Sequence, residues 1–306
     1  MLNITFRQLR ALATVCRTGK VHSAAERLGL TAPAVTLQLK ELESQLGVTL
    51  FDRTAKALFP NDMARLVARV SEDFDVRLRD LEDEINAMRH ARKGSLRLGA
   101  VSTAKYFVPS MIAVFKAQHP EINIEMRVGN RAQILDHLRH HEVDISIMGS
   151  PPHDIPVRSI VIGNHPLVII APPYHPLASV REIQRERLQT ETFLLRENGS
   201  GSRRMFESLF VDVPGGPERP GMEMGSNESI KQAVMAGLGI ALISAHTITQ
   251  ELKAGRLVVL DVVGMPIMRQ WFCVTHAMRA ETPTKAAFLE FINQDGPKML
   301  SELFQV

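Results

Sequence analysis

Ala24-Ala25-Glu26-Arg27-Leu28-Gly29-Leu30-Thr31-Ala32-Pro33-Ala34-Val35-Thr36-Leu37-Gln38-Leu39-Lys40 is the stretch whose reading decides the fold. Thr31 suits a helix N-cap, and Pro33 is tolerated in the first turn because its missing N–H would have no partner there. Val35, Leu39, Leu42 and Leu46 recur at helical spacing and form one apolar stripe. Gly29 closes a short preceding helix that carries Ala24, Ala25 and Leu28. That helix starts either at a Ser23–Glu26 capping box or a turn earlier, near Lys20. Further upstream, Thr5-Phe6-Arg7-Gln8 fits a capping box, Phe6, Leu9, Leu12, Val15 and Cys16 mark a buried face, and Gly19 stops the helix. Downstream, Gly47 ends the third helix, and residues 54–59 after Leu50-Phe51-Asp52-Arg53 suffice for a small β-hairpin wing.

The opposite face of the third helix holds Pro33, Thr36, Leu37 and Lys40, which are small, mostly uncharged, and end in a lysine. Such a face fits a DNA major groove, with Thr36 and Leu37 at base edges and Lys40 at phosphate. Charge agrees. Residues 1–60 hold eight Lys/Arg against four acids, a net of +4, whereas 61–93 hold seven against eight. The basic excess lies where a polyanion would dock.

Residues 61–93 read as one long helix opened by Asn61-Asp62. Leu66, Val70, Phe74, Leu78, Leu81, Ile85 and Met88 make a single narrow apolar stripe, close to a heptad seam in its later part. A helix of about 30 residues with one such stripe needs a partner, either a second copy or the chain's own C-terminal domain.

From residue 95 short apolar runs alternate with helical stretches. Strands are expected at 96–101, 122–128, 143–148, 167–171, 192–196, 240–244 and 271–275. Helices are expected at 103–118, 132–141, 202–210, 226–236 and 283–293. The alternation argues for α/β lobes with mostly parallel sheets, where ligands sit at strand carboxyl ends beside helix N-termini. Four junctions qualify: Val101-Ser102-Thr103, Val128-Gly129-Asn130-Arg131, Met148-Gly149-Ser150 and Gly225-Ser226-Asn227. A fifth is Arg196-Glu197-Asn198-Gly199-Ser200-Gly201-Ser202-Arg203-Arg204, whose free amides, hydroxyls and guanidinium groups suit an anion, phosphate in particular.

Several features point elsewhere and are set aside. His137, His140 and His141 have metal-like spacing but no supporting carboxylate or Cys cluster, so a solvent-facing helix side is expected rather than a zinc site. Gly199–Ser202 lacks the Gly-Lys-Ser/Thr ending of a nucleotide-hydrolysing loop, and Ser200 lacks a triad setting. Cys16 and Cys273 read as buried free thiols, and Trp271 as core. No apolar run approaches the ~18 residues of a membrane span, and no leader is apparent at the N-terminus, so a cytoplasmic protein is expected.

The N-terminal stretches Ala24–Leu28, Thr31–Thr36, Leu42-Glu43, Leu46-Gly47 and Leu50–Arg53 resemble the DNA-binding domain of LysR-type regulators in order and spacing. The resemblance implies DNA contacts from Thr31, Ala32, Pro33, Thr36, Leu37, Gln38 and Lys40, with Arg53 and Lys56 at the wing. Ala32, Leu37, the wing without glycine and Asn61 depart from the family's usual residues, which bears on base preference rather than docking. The stretches 102–107, 129–131, 192–197, 199–201 and 225–237 look like the CbbR/RbcR branch, whose members regulate Calvin-cycle carbon-fixation operons. This implies a winged helix-turn-helix at 1–60 and a dimerising linker helix at 61–93. It also implies a two-lobed, periplasmic-binding-protein-like α/β effector domain, with one lobe at 94–165 and 266–306 and the other at 166–265. The implied partners are double-stranded DNA, a small-molecule effector, a second copy in a homodimer or homotetramer, and RNA polymerase, with no membrane. No cofactor is implied beyond the effector, a phosphorylated sugar or NADPH. Ser102, Thr103, Lys105, Asn130, Arg131, Gly149, Ser200, Ser202, Arg203, Ser226 and Asn227 are the expected effector-binding residues. The competing readings are a LysR-type regulator with a non-phosphorylated effector, a solute-binding protein sharing the two lobes, and an enzyme, for which no convergent acid/base or nucleophile set is present.

Overall fold

A computed structural model describes residues 3–53, 58–89, 94–210 and 220–303. Two compact units emerge, Met1–Glu82 and Asp83–Val306.

The first unit holds α1 (Phe6–Thr18), α2 (Val21–Leu28), α3 (Ala32–Leu46), the antiparallel pair β1 (Phe51–Arg53) and β2 (Leu58–Pro60), and most of α4 (Asp62–Arg89). Thr5 forms the expected capping box with Gln8, Thr31 accepts from the Ala34 amide, and Asn61 accepts from the Ala64 amide at 3.0 Å. Lys20 stands at the N-cap of α2, so that helix starts at the earlier of the two candidate positions. Gly19, Gly29 and Gly47 close α1, α2 and α3 with φ near +65°, which a Cβ would strain. Ala11, Leu12, Val15, Ala24, Val35, Leu42 and Leu50 form the core. Cys16 is half-buried in it, and burial pushes its thiol up to about 11. Along α4, Ala64 and Ala68 are buried, but Met63, Leu66, Val70, Phe74, Leu78, Leu81 and Ile85 stay 38–51% exposed. The side chain of Met88 lies outside the described residues.

The second unit starts with β3 (Ser95–Val101), α5 (Val108–Gln118), β4 (Asn123–Gly129), α6 (Arg131–Arg139) and β5 (Ile145–Met148). It continues through β6 (Val157–Ala171), β7 (Phe193–Arg196), α7 (Gly201–Leu209), β8 (Pro220–Met224), α8 (Asn227–Met235) and β9 (Ala241–Ser244). It ends with α9 (Thr249–Lys253), β10 (Val258–Val259), β11 (Ile267–His276) and α10 (Pro283–Leu303). A seven-stranded sheet runs β10-β6-β11-β5-β3-β4, with β9 also on β6. β3 pairs in parallel with β4 and β5, and β7 with β8.

The expectation of mostly parallel sheets is corrected by β6 and β11. They pair with each other antiparallel over most of their length, and their other partners are antiparallel as well. Each runs from one core to another: one contains Leu98, Phe115, Trp271 and Phe288, the other Ile169, Phe193, Phe206 and Phe210. Their register shifts between Trp271 and Phe272, opposite Ile162 and Gly163, an irregularity of the β-bulge kind.

Three local expectations also change. The helix expected at 103–118 breaks into a 3-10 turn, Ala104–Tyr106, and α5, because Pro109 cannot donate to the carbonyl four residues back. α10 runs past 293 through Gly296 and Pro297, since burying Leu300 against the sheet outweighs one lost helical bond. His141 is no solvent-facing helix residue. It is buried in left-handed backbone at φ 55° and packs on His276, with ring centroids 4.3 Å apart. His137 and His140 do face acids, Glu142 and Asp136.

Candidate functional sites

On α3 the outward residues are Thr31, Pro33, Thr36, Leu37 and Lys40, all exposed. Leu37 is a bare apolar side chain at 55% exposure. Thr36 donates its hydroxyl to the Ala32 carbonyl at 2.9 Å, which fixes the rotamer and leaves its methyl group and hydroxyl oxygen outward. Ala32 packs partly on the core. Gln38 departs from expectation: it is half-buried, and its amide oxygen is enclosed without a hydrogen-bond partner. It sits beside the Val35–Leu42 stripe rather than opposite it. Arg53 lies in β1, but its side chain, like all of Lys56, falls outside the described residues.

The second site is a cleft of about 100 Å³ lined by Val101, Ser102 and Thr103 at the end of β3, Asn130 and Arg131 at the start of α6, and Gly149 and Ser150 after β5. Arg196, at the end of β7, and Ser200, Gly201, Ser202, Arg204 and Met205 of α7 and its cap face them. His165 and Leu167 of β6 and Arg269 of β11 complete it. Four guanidinium groups thus meet at one cavity. Ser200 caps α7 by accepting from the Arg203 amide at 3.2 Å, and Asn130 makes a reciprocal capping box with Gln133.

The arginines differ in how far they are already satisfied. Arg196 is buried. It pairs with Glu197 at 2.7 Å, reaches Ser102 Oγ at 3.2 Å, and donates to Asn227 Oδ1. Arg131 donates to the Ser150 and Pro151 carbonyls. Burial, with the like charges of Arg204 and Arg269, pushes it down to about 10. Arg204 and Arg269 have no acid or carbonyl partner among the described residues, so positive charge converges here unneutralised.

Seven of the eleven expected residues line this cleft: Ser102, Thr103, Asn130, Arg131, Gly149, Ser200 and Ser202. Four do not. Arg203 is turned along α7 to Glu207 at 2.7 Å and Glu223 at 3.5 Å, and the neighbour Arg204 enters instead. Lys105 binds Glu228 of α8 at 2.8 Å, joined by the Tyr106 hydroxyl, so it clasps the turn after β3 to α8. Ser226 is spent as the half-buried N-cap of α8. Asn227 is buried behind Arg196, which it orients.

The expected effector-binding residues did not include His165 or Arg269, and from the three arginines of the Arg196–Arg204 turn they took Arg203 alone. A usable signal existed for each omission. Arg204, four residues past the Ser200 cap, returns to the cap's face, and Arg196 ends a buried strand. His165 and Arg269 each stand two residues before an expected apolar strand, 167–171 and 271–275, and the structure pairs them directly across β6 and β11.

Two family models match, and between them they span most of the chain. They are described as "Bacterial regulatory helix-turn-helix protein, lysR family" over residues 6–65 and "LysR substrate binding domain" over 89–297. The chain belongs to the LysR family. This LysR-family regulator is 52% identical over 300 residues to the HTH-type transcriptional regulator CbbR of Rhizobium meliloti (strain 1021), covering 98% of this chain and 96% of that one. It is 39% identical over 298 residues to the RuBisCO operon transcriptional regulator of Allochromatium vinosum, covering 97% and 98%. Among solved structures it resembles the Synechocystis PCC6803 CcmR regulatory domain in complex with 2-PG, at 35% identity and a TM-score of 0.64, covering 66% of this chain and 97% of that one. The winged helix-turn-helix and the two-lobed effector domain are therefore those of a ligand-responsive, DNA-binding transcriptional regulator. No described helix is long and apolar enough to cross a membrane.

Proposed function

We propose that this regulator controls a RuBisCO or related carbon-fixation operon and that a small phosphorylated metabolite in the cleft sets its activity, with no enzymatic step of its own. The observation that carries the ligand class is the convergence of Arg131, Arg196, Arg204 and Arg269 with the capped starts of α6 and α7 on one cavity. Guanidinium groups and helix-start amides together match the charge and geometry of phosphate oxygens. The relatives named for CbbR and the RuBisCO operon, and the 2-PG complex of CcmR, support the same reading. The walls offer little aromatic surface besides His165, which favours a sugar phosphate or phosphorylated acid over NADPH.

Two copies pair through the exposed stripe of α4, and two such pairs form a tetramer that spans two DNA half-sites in the cytoplasm. α3 enters the major groove, with Lys40 on phosphate and Thr36 and Leu37 at base edges.

Calorimetry with ribulose bisphosphate, 2-PG and NADPH tests the ligand class. One of the first two should bind, and Arg204→Ala should abolish the binding while Arg203→Ala retains it. Binding by Arg204→Ala as tight as by the wild type would overturn the phosphate site.

A further inference from the structure

His165 is 8% exposed and lines the cleft, yet both its ring nitrogens are enclosed without a hydrogen-bond partner. A buried imidazole normally has at least one nitrogen engaged, because an unmet donor or acceptor forfeits its hydration. The ring is held firmly: it stacks on Trp271 with centroids 3.8 Å apart and planes 17° apart, and Trp271 donates on to His246 Nδ1 at 3.4 Å. Its cross-strand neighbour is Arg269, one of the two unneutralised guanidinium groups. One edge lies against a glycine: a Cβ on Gly149 would stand 3.0 Å from His165 Nδ1 and 3.2 Å from Cε1, with no other contact within 4 Å. Burial, His246 and Arg269 push the imidazole down to about 3, so it is neutral and offers one N–H and one bare nitrogen.

We infer that His165 reads an uncharged oxygen of the ligand, a hydroxyl or a carbonyl, lying beside the anionic group held by the arginines. The arginines recognise charge and would accept any small phosphate. A neutral donor–acceptor ring fixed by a stack discriminates among phosphates by what lies next to the phosphorus. Gly149 belongs to the same device: it lies against the Nδ1 edge, where a side chain would press on the ring. This assignment rests on the phosphate reading of the cleft.

The test compares two probes on the full-length protein, ribulose bisphosphate, which carries hydroxyl and carbonyl oxygens between its phosphates, and inorganic pyrophosphate, which has none. His165→Phe keeps a planar ring over Trp271 and removes both nitrogens. It should weaken ribulose bisphosphate by about tenfold or more while leaving pyrophosphate within about twofold. Gly149→Ala, which crowds the same edge and leaves the stack in place, should shift the ratio in the same direction, so the inference does not depend on one variant folding. If the wild type binds neither these probes nor 2-PG, the phosphate reading fails and this inference with it; if it binds 2-PG but not ribulose bisphosphate, this inference alone falls. If the wild type binds both and the two variants keep its ratio, the inference alone is overturned, and the nitrogens serve no ligand.

Discussion

Leu81→Asp is the sharpest perturbation of the α4 stripe. Seven apolar side chains from Met63 to Ile85 remain 38–51% exposed in the single chain. Burying the exposed half of each is worth ~1 kcal/mol, half of the range for a whole side chain. Two copies together gain ~14 kcal/mol, set against an association cost of ~4–15 kcal/mol. The seam therefore has little margin. Aspartate at 81 loses ~1 kcal/mol of burial and adds at least ~2 kcal/mol for a carboxylate stripped of water without a partner. Twofold symmetry doubles this to ~6 kcal/mol, which raises the dissociation constant more than ~10⁴-fold. A nanomolar dissociation constant would become one of about 10–25 micromolar, so the variant would run almost wholly as monomer at about 1 micromolar. Leu81→Ala, at ~2 kcal/mol per pair, should shift the midpoint only about thirtyfold. Sedimentation velocity across a dilution series reads both. An unchanged coefficient for Leu81→Asp would refute the seam, as would a monomeric wild type at the same concentration.

Lys40→Ala should weaken binding to all DNA sequences alike and flatten the plot of log affinity against log salt by about one, whereas Thr36→Ala should alter base preference in competition gel shifts. Asp144 bonds the Arg97 amide at 2.7 Å and guanidinium at 2.9 Å and touches Arg279. Burial alone would raise its carboxyl, but the two arginines outweigh that and hold it below the usual carboxylate range. A depressed folded-state value contributes stability above the unfolded value of about 4 and loses it as pH falls further. Urea midpoints of the wild type should therefore drop below about pH 4, while Asp144→Asn should be ~3–5 kcal/mol less stable at neutral pH and show a shallower acid slope. Glu228→Gln removes the charge and one of the two acceptor oxygens that hold Lys105 and Tyr106, and should weaken effector binding severalfold in calorimetry without touching DNA affinity. Unchanged effector affinity would mean that this clasp has no part in holding the cleft shut.

Local chemistry made the first sixty residues legible: caps at Thr5 and Thr31, stop glycines at 19, 29 and 47, and one stripe per helix. The strand-to-helix junctions were legible for the same reason, and seven residues drawn from them line the cleft. The misses have a common cause. Whether Arg203 or Arg204 enters the cavity depends on which face of α7 packs on Phe193, and Glu207 and Glu223 then hold Arg203 aside. Direction in the sheet was misjudged because β6 and β11 find each other across about a hundred residues, where no local pattern speaks. Gly296-Pro297 reads as a stop, yet the packing of Leu300 carries α10 through it.

The irregularity between β6 and β11 has a mechanical consequence. A pair of strands that passes from one core to the other is the flexural element of such a domain, and a break in ladder register is where a ribbon bends at least cost. Here the break falls at Gly163 and Trp271, and two pairs along is His165 with Arg269, both in the cleft wall. On the proposed site, the residues that would touch the effector are the spring itself, rather than the end of a lever attached to it. Signal and motion share one pair of strands, so substitutions that stiffen this pivot should dull the response to every ligand equally, whatever their effect on affinity.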